Sequence, residues 1–149
     1  MNQQDSEVPI EILLVEDNPG DVRLTKEAFR ECKVKINISV ATDGSEAINF
    51  LRNKGQYKNT IKPDLILLDL NLPKVNGIEV LKEIKSDPNL RMIPVIILTT
   101  SKADDDIMNT YINNANCYIN KPVDLDGFFR IIESIESFWF STAVFPPAS

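Results

Sequence analysis

The sequence predicts an α/β protein in which a five-stranded parallel sheet carries helices on both faces, and three observations predict it. Apolar runs of strand length alternate with amphipathic segments of helix length along the chain. Several of those runs are almost continuous aliphatic residues, as strands buried on both faces require. The chain has 149 residues, 43% of them hydrophobic and 26% charged, enough for one domain with a sizeable core and too few for two.

Strands are expected at Ile10 to Val15, Ile36 to Val40, Leu65 to Leu68, Val95 to Leu98 and Cys117 to Ile119. In the second, Ile36, Ile38 and Val40 alternate with Asn37 and Ser39, which places that strand at a sheet edge. The first helix opens with Asn18 as N-cap, Pro19 at the first helical position and Asp21 near the positive end of the dipole; it should bury Val22, Ala28 and Phe29. The second follows Asp43-Gly44, carries Ala47, Ile48 and Leu51, and stops at Gly55, after which a polar loop runs to Pro63. The third opens at Asn76-Gly77, presents Ile78, Leu81 and Ile84 on one side and ends before Pro88. The fourth runs from about Ala103 to Asn113 and the fifth from about Asp124 to Phe140. The expected organisation is a flexible tail over 1–8, one domain over 9–141 and a tail over 142–149, with no output domain following.

Composition removes many functions. Histidine is absent, which excludes a histidine general base, the Ser/His/Asp and Cys/His nucleophile systems, and His-ligated zinc, haem or non-haem iron. Cys32 and Cys117 form no CxxC, which fits a reduced, cytoplasmic chain better than a zinc or dithiol site. Met1 to Glu7 carries no basic-then-apolar signal, and no apolar run approaches the roughly 18 residues of a membrane span. Lys and Arg number 16 against 22 Asp and Glu, and the net charge of −6 argues against nucleic acid as a partner. No Walker-type or GxGxxG loop follows the first strand.

The first strand ends in Val15-Glu16-Asp17 and the third in Leu68-Asp69, so three acids gather at the carboxyl edge of the sheet, where open α/β folds bind ligands. One acid after a strand usually just caps a helix. Three together repel unless a cation joins them, and hard oxygen ligands without His or Cys suit Mg²⁺. Thr99-Thr100-Ser101 ends the fourth strand and Lys121-Pro122 follows the fifth, adding a hydroxyl and an ammonium at the same edge. A cation, a lysine and a hydroxyl around one aspartate are what a phosphoryl group on that aspartate needs. The plainer alternative has Thr99 capping a helix and Lys121 merely pairing with an acid.

The motifs Leu13-Leu14-Val15-Glu16-Asp17-Asn18, Pro63-Asp64-Leu65-Ile66-Leu67-Leu68-Asp69-Leu70-Asn71-Leu72-Pro73, Gly77, Pro94 to Thr99 and Tyr118-Ile119-Asn120-Lys121-Pro122 resemble the receiver domain of bacterial two-component response regulators over roughly residues 10–140. The resemblance implies a flavodoxin-like fold with strand order 2-1-3-4-5. It also implies Asp69 as phosphoacceptor, Asp17 as a direct Mg²⁺ ligand, Glu16 acting on the metal through water, and the Asn71 carbonyl completing the metal shell. Thr99 and Lys121 would meet the phosphoryl group, Tyr118 would switch inward with them, and a cis peptide would precede Pro122. Glu at position 16 departs from the commoner Asp. The donor would be a phosphohistidine on a sensor histidine kinase, and the fourth helix, fifth strand and fifth helix would be read by an unidentified downstream protein. The long loop before Pro63 and Ile135-Glu136-Ser137-Phe138-Trp139 resemble single-domain regulators that serve phytochrome kinases, especially in cyanobacteria.

Leu125, Phe128, Phe129, Ile131, Ile132, Ile135, Phe138, Trp139 and Phe140 spread over roughly 200° of the fifth helix, about twice a surface helix's usual stripe. A homodimer through Phe129, Ile131, Phe138, Trp139 and Phe140 is therefore expected; the competing expectation is that the tail through Val144 and Phe145 folds back over them. Three other functions fit the same residues less well. A phosphatase of the haloacid dehalogenase type needs an acid where Asn71 stands, a pseudo-receiver lacks pocket residues that are present here, and an FMN carrier would be repelled by Glu16-Asp17.

Overall fold

Five parallel strands form one sheet in the order β2-β1-β3-β4-β5 in the computed structural model, which describes residues 8–147. The strands are β1 (Ile10–Val15), β2 (Ile36–Ala41), β3 (Leu65–Leu68), β4 (Val95–Thr99) and β5 (Cys117–Asn120). The helices are α1 (Pro19–Arg30), α2 (Gly44–Leu51), α3 (Gly77–Ser86), α4 (Asp104–Ile112) and α5 (Leu125–Ile135). Of the expected tail over 1–8, residues 1–7 lie outside the described residues, and Val8 is exposed. No helix among the described residues is long and apolar enough to cross a membrane.

Side chains alternate across the strands, and the core divides accordingly. Leu13, Val15, Ile66, Leu68 and Ile97 face one cluster with Phe50 of α2 and Leu81 of α3. Ile12, Leu14, Leu65, Leu67 and Ile96 face the other, with Phe29 of α1 and Phe128 of α5. The central strands are thus buried on both faces, while β2 at the edge keeps Asn37 exposed. In α1, Ala28 and Phe29 are buried and Val22 only half so. Thr25 is buried instead, because its hydroxyl donates to the Asp21 carbonyl at 2.7 Å and needs no other partner.

The register sets the functional edge. Val15 lies beside Leu68, and Leu68 beside Ile97. Ladder hydrogen bonds continue past the strand ends: Glu16 N donates to Ala41 O at 3.0 Å, Asp69 N to Val15 O at 3.0 Å and Lys121 N to Thr99 O at 2.7 Å. Residues far apart in sequence are therefore held side by side by backbone bonds before any side chain acts.

Beyond α5 the chain continues as a π-helical turn, Glu136–Phe140. The tail folds back here. The Phe145 ring stacks on Trp139 at 6.2 Å and lies 6.3 Å from Phe140, which itself reaches Phe29 at 6.4 Å. Phe129, Ile131, Trp139 and Phe140 pack against the α1/α5 core, leaving Phe138 54% exposed. The wide apolar stripe is covered largely from within one chain, so its width alone no longer calls for a second copy.

Candidate functional site

The sharp turn out of β1 is built by Asn18. Its side-chain Oδ1 accepts from Asp21 N at 3.0 Å, capping α1, while its own N–H donates to Glu16 Oε2 at 3.2 Å. Glu16 therefore points back under the helix and is 3% exposed, whereas Asp17 remains at the surface. Asp69 follows β3 directly and is 5% exposed. Its Oδ1 accepts from Asn71 N at 3.1 Å, a local turn that fixes the carboxylate. The loop onward, with Lys74 at φ 67°, returns so closely that Gly77 lies against the Asp69 carbonyl.

Lys121 joins these pieces. Its Nζ donates to Glu16 Oε1 at 2.6 Å, Asp69 Oδ2 at 2.8 Å and Asp21 Oδ2 at 2.9 Å. All three ammonium protons are used, and the side chain is almost fully buried. Carboxylate oxygens of Glu16, Asp17 and Asp69 lie within 4.8 Å of one another, an all-oxygen set that fits a divalent cation. Four acids around one ammonium leave an excess of negative charge that such an ion offsets.

Thr99 is fully buried, and its Oγ1 has no hydrogen-bond partner. An unpartnered buried hydroxyl costs about 1–3 kcal/mol, so its position fits an acceptor that arrives during function. Tyr118 is half-buried and its hydroxyl donates to Ser101 O at 2.8 Å, tying β5 to the loop before α4. Of the sequence-predicted residues, Glu16, Asp17, Asp69 and Lys121 are brought together directly, and Asn71 meets them through its N–H. One expectation is corrected: no cis peptide occurs among the described residues, and Lys121–Pro122 is trans. Trans is the lower-energy form of an X-Pro bond by about 0.5–1 kcal/mol. The sequence marks Asp21 only as an acid in the first turn of α1; its bond to Lys121 carries no sequence signal.

Burial is the main force on the Glu16 carboxyl, and with the nearby Asp69 charge it outweighs the hydrogen bonds from Lys121 and Asn18, raising its pKa from 4.5 to about 7. Burial pulls Lys121 the other way, towards neutrality, but its carboxylate partners prevail and hold it above the ordinary lysine value. Between pH 4.5 and about 7 the folded protein holds a Glu16 proton that the unfolded chain has lost, so this group's contribution declines as pH rises through that window. A bound divalent cation favours ionised Glu16 and opposes the decline. The rise in melting midpoint on adding a divalent cation should therefore be larger at pH 8 than at pH 6, measured by thermal denaturation with and without EDTA. Equal gains at both values would show that Glu16 takes no part in holding the ion.

The response regulator receiver domain profile matches residues 12–133. Response regulator Rcp1 of Synechocystis sp. is 44% identical over 144 residues, covering 97% of this chain and 98% of its own. A crystal structure of the phosphorylated cyanobacterial phytochrome response regulator RcpA superposes with a TM-score of 0.90 at 50% identity, over 94% of this chain and 100% of that one. The Mn²⁺-bound form of Rcp1 gives 0.88 at 45% identity, over 93% and 100%. Fold, strand-end acids and full-length similarity agree, and the chain belongs to the response regulator receiver domain family.

Proposed function

We propose that Asp69 accepts a phosphoryl group from a phosphohistidine on a partner histidine kinase of the phytochrome type, with Mg²⁺ held by Glu16, Asp17, Asp69 and the Asn71 carbonyl. The observation that carries this is the Lys121 ammonium at 2.8 Å from Asp69 Oδ2, inside a cluster of acids fit for a divalent ion. A carboxylate oxygen of Asp69 forms the new P–O bond as the donor's P–N bond breaks; the electron pair leaves with the imidazole, which takes up a proton from water. Bound at the acids, Mg²⁺ supplies positive charge against the phosphoryl oxygens. Lys121 supplies a second positive charge, and Thr99 Oγ1 is free to donate.

Phosphorylation adds negative charge and strong acceptors to a buried edge. Thr99 and Tyr118 would move to satisfy them, changing the surface formed by α4, β5 and α5 that a downstream protein reads. The kinase type is supported by similarity to RcpA, a phytochrome response regulator, and the metal by the Mn²⁺-bound Rcp1 structure. A second copy packing at the exposed Phe138 belongs to the same proposal. The test is to map the product: after incubation with a phosphorylated kinase, the added mass should lie on the peptide containing Asp69 and be released by hydroxylamine, as an acyl phosphate is. A hydroxylamine-stable label on a serine or threonine would reject the reading.

A further inference from the structure

We infer that Asp21 is a positioning residue for this transfer, holding the Lys121 ammonium in place while Glu16 and Asp69 take up other partners. The inference rests on Asp69 being the phosphoacceptor. Lys121 Nζ spends its three protons on Glu16, Asp69 and Asp21, at 2.6, 2.8 and 2.9 Å. Two of those acceptors have a second duty, because Glu16 and Asp69 belong to the cluster whose oxygens converge within 4.8 Å as a cation site. Asp21 stands outside that cluster, and among the described residues its carboxylate accepts only from Lys121.

Asp21 is also built to stay still. Its N–H donates to Asn18 Oδ1 at 3.0 Å and its carbonyl accepts from Thr25 Oγ1 at 2.7 Å, so its backbone is tied at both ends. It lies in the first turn of α1, where the helix dipole favours a carboxylate. Lys121, by contrast, reaches the site on a flexible four-carbon stem that needs an anchor to hold its head. Once Asp69 is an acyl phosphate, the oxygen joined to phosphorus is a poor acceptor, and one ammonium donor must turn to a phosphoryl oxygen. The Asp21 bond is unaffected by that change and limits how far Nζ moves.

The test uses the full chain labelled by a small donor, phosphoramidate, with Mg²⁺ present, for wild type, Asp21→Ala, Asp21→Asn and Asp69→Ala. Asp21→Ala should slow the saturating labelling rate about tenfold. Asp21→Asn keeps an acceptor oxygen in place and should recover to within about threefold of wild type. Neither should shift the Mg²⁺ dissociation constant, read by calorimetry, by more than about threefold, since Asp21 is not among the converging acids. A wild-type rate in Asp21→Ala overturns the inference, as does Asp21→Asn as slow as the alanine variant. So does a rate loss matched by equal loss of Mg²⁺ affinity, or of folded protein in a denaturant titration. Failure of the underlying reading looks different: Asp69→Ala would then label like wild type, whatever Asp21 does.

Discussion

Replacing Asp69 with alanine is expected to lower phosphotransfer more than about a thousandfold while leaving a folded protein. The reason is that no neighbouring acid can take over. Glu16 is the closest candidate, but both of its oxygens are engaged, Oε1 by Lys121 at 2.6 Å and Oε2 by the Asn18 N–H at 3.2 Å. Asp17 lies at the surface and receives nothing from Lys121, whose three donors go elsewhere. The fold should tolerate the change. Lys121 keeps two carboxylate partners, and an acid is removed from a cluster already rich in negative charge, so denaturant stability should move by no more than about 1–2 kcal/mol. A radiolabelled kinase assay run beside a urea titration reads both quantities. Persistent labelling in a stable Asp69→Ala protein would move the acceptor elsewhere.

The residues of this site that were legible in the sequence are those delivered by strand ends. Glu16, Asp69 and Thr99 each follow or close an aliphatic run, Lys121 follows the short fifth strand, and a parallel sheet places such positions along one edge whatever the loops do. Asp21 was not legible as a partner of Lys121, because that contact joins residues 100 positions apart through the reach of one long side chain. The α5 stripe left two covers open, a second copy and the tail through Val144 and Phe145. Counting apolar residues measures how much surface needs cover, but the covering ring, Phe145, sits in a tail without periodicity, and only the fold shows it stacked on Trp139. The trans bond before Pro122 corrects an expectation that came from resemblance alone, with no local residue to support it.

Gly77→Ala is expected to have a large effect on folding. Gly77 was legible as the opening of α3, yet the reason it must be glycine lies in tertiary approach. A Cβ there would fall on the Asp69 carbonyl oxygen and 2.5 Å from the Leu70 Cα, both backbone atoms with no rotamer to change. Neither side can retreat easily. Asp69 N is held by Val15 O at 3.0 Å within the sheet, and Gly77 N donates to Leu70 O at 2.9 Å, closing the loop from the other end. Gly77→Ala should therefore cost about 3 kcal/mol, at the upper end of overpacking, and Gly77→Val more, because its branched Cβ adds atoms to the same overlap. Gly20→Ala is the internal control: it sits in the first turn of α1, its Cβ would meet only Asn18 Oδ1 at 3.2 Å, and alanine's helix propensity offsets that contact to within about 1 kcal/mol. Denaturant midpoints at unchanged slope compare the two. In the Gly77 variants the clash is relieved only by moving the segment that carries Asp69, so whatever folded protein remains should also be labelled more slowly than Gly20→Ala. A Gly77→Ala protein as stable and as readily labelled as the control would mean that the loop from Leu70 to Asn76 yields, and that the closeness of α3 to the acceptor is not what holds the carboxylate in place.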